Sequence, residues 1–519
     1  MERPFGKDCV CGVIAAGTAR EMIVQVRLGL KSTQTLELRL DYLRNARERT
    51  AFLAWLRQKR PRAALIATCR SRQGGGLFGG SRKAQLEVLV RAVRAGCRWC
   101  DVEIETAKHI LPAELQAALS PARLIVSHHD FRQTPRNLPG LARRLLHAGG
   151  EIAKIAGDCR SISDSVRICD LARGRRDIVA IPMGEAGLAG RILALRAGSA
   201  LAYAAVEQAT APGQLSLDMM KHLYRAGQIT RRTRVYGVIG NPIGHSLSPL
   251  LHNTAFRARK FDAVFVPFLV RELGDFLRSI QPFGIAGFAI TIPHKEGIIR
   301  YLDDCDPLAA SIGAVNTVVV RGEGRLYGYN TDYVGVLRSL EHRIRLAGSR
   351  ILLYGAGGAA RAAAFALARA GAVVCLAARR PERARALARA VGARVIARDE
   401  LRREFFDAIV NCTPVGMHPR GGSPLEGAEL NCRLVMDMVY RPRTTELLRI
   451  ARRRGIETVS GVEMFLAQGF AQYEIWTGER APDAAVRRAV IAVLDREEKS
   501  LGQGRGKRLS ARLQHKRPR

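Results

Sequence analysis

Lysine is the scarce cation of this chain. Its 83 basic residues divide into roughly seventy Arg and about a dozen Lys, so a Lys among apolar neighbours is an exception to the local habit. Long uncharged apolar runs are also missing. Arg interrupts each candidate, as between residues 359 and 379, and none reaches the 18 or more residues needed to span a bilayer. Residues 1–8 mix both charge signs and lead into a β-like run without a hydrophobic signal segment, which predicts a cytoplasmic protein with no membrane partner. Cys97 and Cys100 form one C-x-x-C pair, and no second pair stands at zinc spacing among the eleven cysteines. That predicts reduced, mostly buried thiols and no metal site.

Acidic residues are few, 47 against 83 basic, and the formal charge of +36 raises nucleic-acid binding as a rival reading. The excess Arg is scattered over helix faces such as residues 379–389, as background composition would be. Only residues 505–519 form a compact basic block, and residues 497–519 are predicted to be a disordered tail.

What is present is ordinary for a folded protein, with 47% hydrophobic and 25% charged residues in 519, enough for three or four domains. Eight short apolar runs, at 9–16, 35–41, 64–70, 99–105, 123–130, 152–157, 177–184 and 199–206, alternate with helix-length segments. This predicts an α/β class with an N-terminal (β/α)8 TIM barrel over residues 1–228; a doubly wound open sheet is the alternative. A fresh strand begins at Val235. Further on, Ile351 to Arg361 follows a strand with a Gly-rich turn and a helix, the context of a dinucleotide fold. The second half is therefore divided into a subdomain at 234–340, completed by about 462–496, and a Rossmann subdomain at 341–461.

In the run Leu36-Glu37-Leu38-Arg39-Leu40-Asp41 the leucines fall on one face and the charges on the other. Helices cover the outside of a parallel barrel, so those charges must point inward, where they need partners or chemistry. Asp101, Glu103 and Glu105 repeat the pattern. Lys154 stands in the middle of an apolar run. A desolvated amine, or one near another cation, can attack a carbonyl, which guanidinium cannot do; the alternative is a Lys buried only to pair with Glu37 or Glu103. His128 and His129 end the fifth run and supply imidazole for proton transfer.

Together with Cys69-Arg70-Ser71, Pro182-Met183-Gly184, Arg191 and Ala211-Pro212-Gly213-Gln214, these residues resemble type I 3-dehydroquinate dehydratase from residue 9 to about 225. The resemblance implies that Lys154 forms an imine with the ketone, that His129 moves the α-proton and that Glu103 orients His129. It further implies that Arg191 binds the substrate carboxylate, with Glu37, Arg39, Arg70 and Gln214 holding hydroxyls and carboxylate. Thr210 stands where the family usually has Ser. Residues 73–80, rich in Gly, read as a flexible loop at the barrel mouth.

In the second half, Gly355, Gly357, Gly358 and Ala359 form the dinucleotide turn. About twenty residues on, Arg379, Arg380 and Arg383 stand where an NAD enzyme places an acid, which favours a 2′-phosphate and hence NADP. Ser246 and Ser248 offer paired hydroxyls, and Thr291, Lys295, Asn316 and Asp332 follow. With Asp437-Met438-Val439-Tyr440 and the run Gly461 to Gln468, the segment from Val235 to Arg496 resembles shikimate dehydrogenase. The resemblance implies that Ser246 and Ser248 bind carboxylate, that Thr291, Asn316, Tyr440 and Gln468 contact the ring, and that Lys295 with Asp332 forms the catalytic dyad. Thr413, Met417 and Gly461 would border the nicotinamide. Ala289 and Ala378 stand where the family often has Asn. Small-molecule substrates, 3-dehydroquinate, 3-dehydroshikimate and shikimate, are the expected partners. Quinate or NAD for the second half, or a decayed enzyme that binds nucleic acid, are the alternatives.

Overall fold

The computed structural model describes residues 4–5, 8–419 and 421–514, with side chains to Lys499. Eight strands, β1 (Val10–Ile14), β2 (Thr35–Arg39), β3 (Ala64–Thr68), β4 (Trp99–Glu103), β5 (Arg123–Asp130), β6 (Ile152–Asp158), β7 (Ile178–Met183) and β8 (Ala202–Ala205), form one parallel sheet. Its order is β7-β6-β5-β4-β3-β2-β1-β8. The Ala200 amide donates to the Ile178 carbonyl at 2.8 Å and draws β8 towards β7, so the sheet curls into a nearly closed barrel. The expected TIM barrel is present and the open sheet is not.

Every residue of β2 is buried, on both faces. Leu36 and Leu38 pack under helices, while Glu37 and Arg39 enter the interior with exposures of 3% and 5%. The interior is layered by chemistry. Trp99, Ile125, Ile152 and Leu201, with Phe5, form its apolar layer, and polar residues from the later positions of the strands occupy the C-terminal end, where barrel enzymes build their sites.

By compactness the chain divides into two units, Met1–Ser246 with Asp262–Ile285, and Leu247–Phe261 with Ala286–Arg519. The first reaches beyond the expected barrel boundary near residue 228. It includes β9 (Arg234–Gly240) and β10 (Ala263–Leu269), which pair in parallel. Side chains explain the difference. Asp275 accepts from the Ile162 amide at 2.7 Å and the Ser163 amide at 3.3 Å, the first two amides of the barrel helix Ile162–Asp170, whose own N-cap is Ser161. Arg196, from the helix after β7, donates to the Thr233 carbonyl at 3.0 Å.

In the second unit, β13 (Thr317–Val320) pairs antiparallel with both β11 (Ile285–Ile290) and β14 (Leu326–Tyr329), and β12 (Asp304–Cys305) joins β14 in parallel. The helix Gly461–Thr477 returns to this sheet, as expected, with Trp476 Nε1 donating to the Val318 carbonyl at 3.0 Å. A separate parallel sheet comprises β15 (Arg350–Tyr354), β16 (Val373–Ala377), β17 (Arg394–Val395), β18 (Phe406–Asn411), β19 (Cys432–Asp437) and β20 (Glu457–Val459), in the order β17-β16-β15-β18-β19-β20. Written by sequence this is 3-2-1-4-5-6, the doubly wound dinucleotide-binding topology.

The last helix runs Asp483–Gln514. The tail expected to be disordered from residue 497 is therefore helical backbone as far as Gln514, a run in which Arg, Leu, Lys, Gln and Ala supply helix propensity; residues 515–519 lie outside the described residues.

Candidate active sites

At the C-terminal end of the barrel, Lys154 is 2% exposed. Its Nζ lies 2.8 Å from Glu37 Oε1 and 2.7 Å from Asp101 Oδ2, and 4.0 Å from the centroid of the Tyr203 ring. The expected apolar setting is thus replaced by two carboxylates, and the expected second cation is Arg70, whose Nη2 lies 3.1 Å from the same Asp101 Oδ2. Burial pushes Asp101 up, but Lys154 and Arg70 outweigh it and hold the carboxyl well below the usual range. Asp101 was not among the residues singled out for a role. Its signal was its position two before Glu103, on the same inward face.

Glu103 does not contact His129. It accepts from the Ser71 amide at 3.0 Å and Gln85 Nε2 at 2.7 Å, and lies 4.0 Å from Arg70. Arg70 Nη1 is what meets His129, 2.9 Å from Nδ1. Any orienting effect of Glu103 on His129 therefore passes through the Arg70 guanidinium, because Ser71 and Gln85 are the nearer donors for the carboxylate. Burial, then the charges of Arg70 and Lys154, push His129 well below the ordinary histidine value, so its ring is neutral.

Arg191 is 5% exposed, and its Nε has no hydrogen-bond partner among the described residues. One Nη donates to the Pro212 carbonyl at 2.8 Å, and burial pushes the guanidinium down to about 10. A buried cation without a carboxylate is a place for an anion. The cleft is lined by Glu37, Arg39, Arg70, His129, Lys154, Arg191, Thr210 and Gln214, and holds about 460 Å³ including its mouth. Thr210 Oγ1 and amide both donate to Gln214 Oε1, so the methyl that distinguishes Thr from Ser leaves the loop hydrogen bonds intact. The loop at 73–80 is packed rather than free. A Cβ on Gly74 would lie 1.7 Å from Glu103 Oε1, and one on Gly75, at φ +79°, would lie 2.4 Å from the Phe131 ring.

In the second unit Lys295 Nζ meets Asp332 Oδ2 at 2.5 Å, and Asn316 Nδ2 donates to Asp332 Oδ1 at 2.8 Å. Lys295 follows β11, Asn316 precedes β13 and Asp332 opens the helix Asp332–Glu341, so three separate elements converge on one carboxylate. Thr291 directly follows β11. Tyr440 stacks on Phe465 at 4.7 Å and hydrogen-bonds the backbone of Leu247, the residue between Ser246 and Ser248. Ser248 begins the helix Ser248–Ala258. Gln468 Nε2 donates to the Phe465 carbonyl at 3.0 Å in its own helix. Gln472, one turn on, was not anticipated; it contacts Asn316 and Thr317.

The dinucleotide turn follows β15. Gly355 has φ +129°, and a Cβ on it would press on Cys412 and Thr413 at 3.2 to 3.3 Å. A Cβ on Gly357 or Gly358 would meet nothing within 4 Å, and Gly357 caps the helix Gly358–Arg369, in which Ala359 is second. Backbone amides at a helix N-terminus, open to approach, suit a pyrophosphate. Arg379 and Arg383, beyond β16, are exposed and form no ion pair among the described residues. Thr413 donates from its amide and Oγ1 to Asn411 Oδ1, holding the turn after β18, and Met417 in that turn is 47% exposed. Gly461 opens its helix against the Met438 and Val439 carbonyls, each 2.6 Å from where a Cβ would stand.

Among the described residues no helix is long and apolar enough to cross a membrane, and no cluster of His, Cys, Asp and Glu could hold a metal. All eleven cysteines are free, and burial pushes Cys97 up to about 12.

Comparison with known families agrees with this geometry. Residues 10–231 match the type I 3-dehydroquinase family, 238–318 the shikimate dehydrogenase substrate binding domain and 461–491 the shikimate 5′-dehydrogenase C-terminal domain. The shikimate dehydrogenase (NADP(+)) of Methanothermobacter thermautotrophicus is 42% identical over 285 residues, 52% of this chain and 100% of its own length. A crystal structure of shikimate dehydrogenase from Aquifex aeolicus is 35% identical, covers 51% of this chain and 99% of its own, and superposes with a TM-score of 0.48. The family matches define a type I 3-dehydroquinase barrel fused to a shikimate dehydrogenase.

Across the fusion, the bifunctional 3-dehydroquinate dehydratase/shikimate dehydrogenase of Arabidopsis thaliana, named as chloroplastic, is 35% identical over 499 residues, 91% of this chain and 82% of its own. The chain belongs to the bifunctional 3-dehydroquinate dehydratase/shikimate dehydrogenase family, a lyase and an oxidoreductase in one polypeptide.

Proposed function

We propose that the barrel dehydrates 3-dehydroquinate through an imine on Lys154, and that the second half reduces the resulting 3-dehydroshikimate to shikimate with NADPH. The observation that carries the reading is Lys154, buried between Glu37 and Asp101 in the same cleft as neutral His129 and uncompensated Arg191. Lys154 loses a proton to Glu37, since Lys154 and Arg70 keep Asp101 ionised, and attacks the ketone carbon; water leaves, and an iminium remains. The iminium draws electrons from the adjacent C–H bond, whose proton passes to His129. Arg70 donates to His129 Nδ1, and drawing Arg70 onto the substrate frees that nitrogen as the base. His129 then returns the proton to the β-hydroxyl, which departs as water, and hydrolysis releases Lys154. Arg191 holds the substrate carboxylate, while Glu37, Arg39, Gln214 and Thr210 border the ring. Glu103 positions Arg70.

In the second half NADPH, when bound, would supply a hydride to the ketone carbon. Lys295, oriented by Asp332, donates a proton to the alkoxide that develops on the oxygen. Ser246 and Ser248 hold the carboxylate, and Thr291, Asn316, Tyr440 and Gln468 surround the ring. Gly355, Gly357, Gly358 and Ala359 hold the pyrophosphate, Arg379 and Arg383 the 2′-phosphate, and Thr413, Met417 and Gly461 flank the nicotinamide. The domain limits assigned at 1–228, 234–340 with 462–496, and 341–461 follow these roles. The free thiols suit a reducing compartment, and the cytoplasm is the one assigned.

The test feeds 3-dehydroquinate and NADPH to the purified chain and follows intermediate and shikimate together. Both are expected in that order. Consumption of NADH in preference, or turnover of quinate in preference to shikimate in the reverse direction, would overturn the second assignment.

A further inference from the structure

We propose that Gln472 and Thr317 are positioning residues of the reductase site, which aim and polarise the Asn316 amide so that it donates to Asp332. The proposal rests on the assignment of Lys295 and Asp332 above.

The chain of hydrogen bonds is continuous and buried. Gln472 is 2% exposed, Thr317 and His252 are 0% exposed and Asn316 is 2% exposed. His252 Nε2 lies 3.3 Å from Gln472 Oε1. Gln472 Nε2 donates to the Asn316 carbonyl at 3.3 Å and to Thr317 Oγ1 at 3.0 Å. Thr317 Oγ1 donates to Asn316 Oδ1 at 2.7 Å. Asn316 Nδ2 reaches Asp332 Oδ1 at 2.8 Å, and Asp332 Oδ2 is left for Lys295.

The inventory of donors decides the direction of every link. A backbone carbonyl only accepts, so the Gln472 atom facing it must be nitrogen and the atom facing His252 must be oxygen. His252 therefore carries its hydrogen on Nε2 and donates. Because Gln472 supplies a hydrogen to Thr317 Oγ1, the hydroxyl must turn its own hydrogen elsewhere, and Asn316 Oδ1 is the acceptor at 2.7 Å. The Thr331 amide donates to the same oxygen, also at 2.7 Å. With the Thr331 hydroxyl, 3.2 Å away, three donors face Oδ1; they polarise the amide and strengthen its N–H on Asp332. The outer residues thus favour one orientation of the carboxylate that holds Lys295.

The test compares Gln472→Met, Thr317→Val and Thr317→Ser in the full chain, with kcat and KM for shikimate oxidation. Gln472→Met and Thr317→Val are expected to lower kcat by about tenfold or more, since small displacements at a reacting centre cost that much. The KM for NADP should be unchanged, which also reports an intact dinucleotide fold. Thr317→Ser keeps the hydroxyl and should retain kcat. The double variant Gln472→Met with Thr317→Val should be no worse than either single change, as for members of one chain. Full kcat in Thr317→Val, equal loss in Thr317→Ser, or additive losses would overturn the proposal. If the unaltered chain does not interconvert shikimate and 3-dehydroshikimate with NADP, the functional assignment itself fails, a result distinct from any of these.

Discussion

Two amines carry the chemistry assigned to this chain, and they are held differently. Lys154 is 3% exposed at its side chain and shared by two carboxylates, whereas Lys295 is 22% exposed and bound to one. A buried amine beside a carboxylate that accepts its proton becomes a nucleophile; a partly open ammonium beside one acid suits proton donation. Lys154→Ala should lower dehydratase activity about a thousandfold or more while shikimate oxidation persists. Borohydride with 3-dehydroquinate should add ligand mass to the unaltered chain only. Labelling that survives in Lys154→Ala would refute the imine.

His252 gives a second prediction at this scale. Burial lowers it to about 3, against a weaker opposing effect of Gln472. Below the ordinary histidine value near 6.5, the unfolded chain binds a proton that the folded one refuses. Stability is therefore lost as pH falls from about 6.5 towards 3, by at most about 1.4 kcal/mol per pH unit from this group. His252→Gln should show a smaller drop in melting temperature between pH 7 and pH 5 than the unaltered chain, and an equal drop would contradict the assignment.

Individual elements were legible to different degrees. The eight barrel runs and the strand before Gly355 were visible because apolar residues cluster at strand length between helix-length segments. Asp101 was seen as part of an inward charge pattern but not as the partner of Lys154, since pairing across β4 and β6 depends on how the strands close. The turn after β16 was readable because a short loop must present Arg379 and Arg383 at the end of that strand. Arg379→Ala is expected to raise the KM for NADP by about tenfold or more, the worth of a hydrogen bond between charged groups, with little change for NAD. Parallel kinetics with both nucleotides check this, and equal losses for NADP and NAD would remove Arg379 from the 2′-phosphate.

At the scale of the whole chain, the first compact unit extends past the barrel and takes in Asp262–Ile285. Asp275 of that segment accepts from the first two amides of the barrel helix that follows the strand of Lys154. Arg271, from the same segment, donates to the Arg160 carbonyl at 3.0 Å. Asp275→Ala should destabilise the first unit by about 1 kcal/mol, the usual worth of a lost hydrogen bond, here at the helix N-terminus. Chemical denaturation followed by dehydratase activity would measure it, and an unchanged midpoint would show that the cap contributes nothing.

The succession of strands and helices along the chain, the inward placement of charge on β2 and β4, the two exceptional lysines and the glycine turn were all determined by the sequence alone. Local periodicity and backbone freedom act over a few residues and need no distant partner. Only the tertiary structure decided that Arg70 rather than Glu103 meets His129, that Asp101 holds Lys154, and that Gln472 backs Asn316. Those choices turn on which donor lies nearest once elements far apart in the chain have packed, a competition settled by angstroms that residue spacing does not encode.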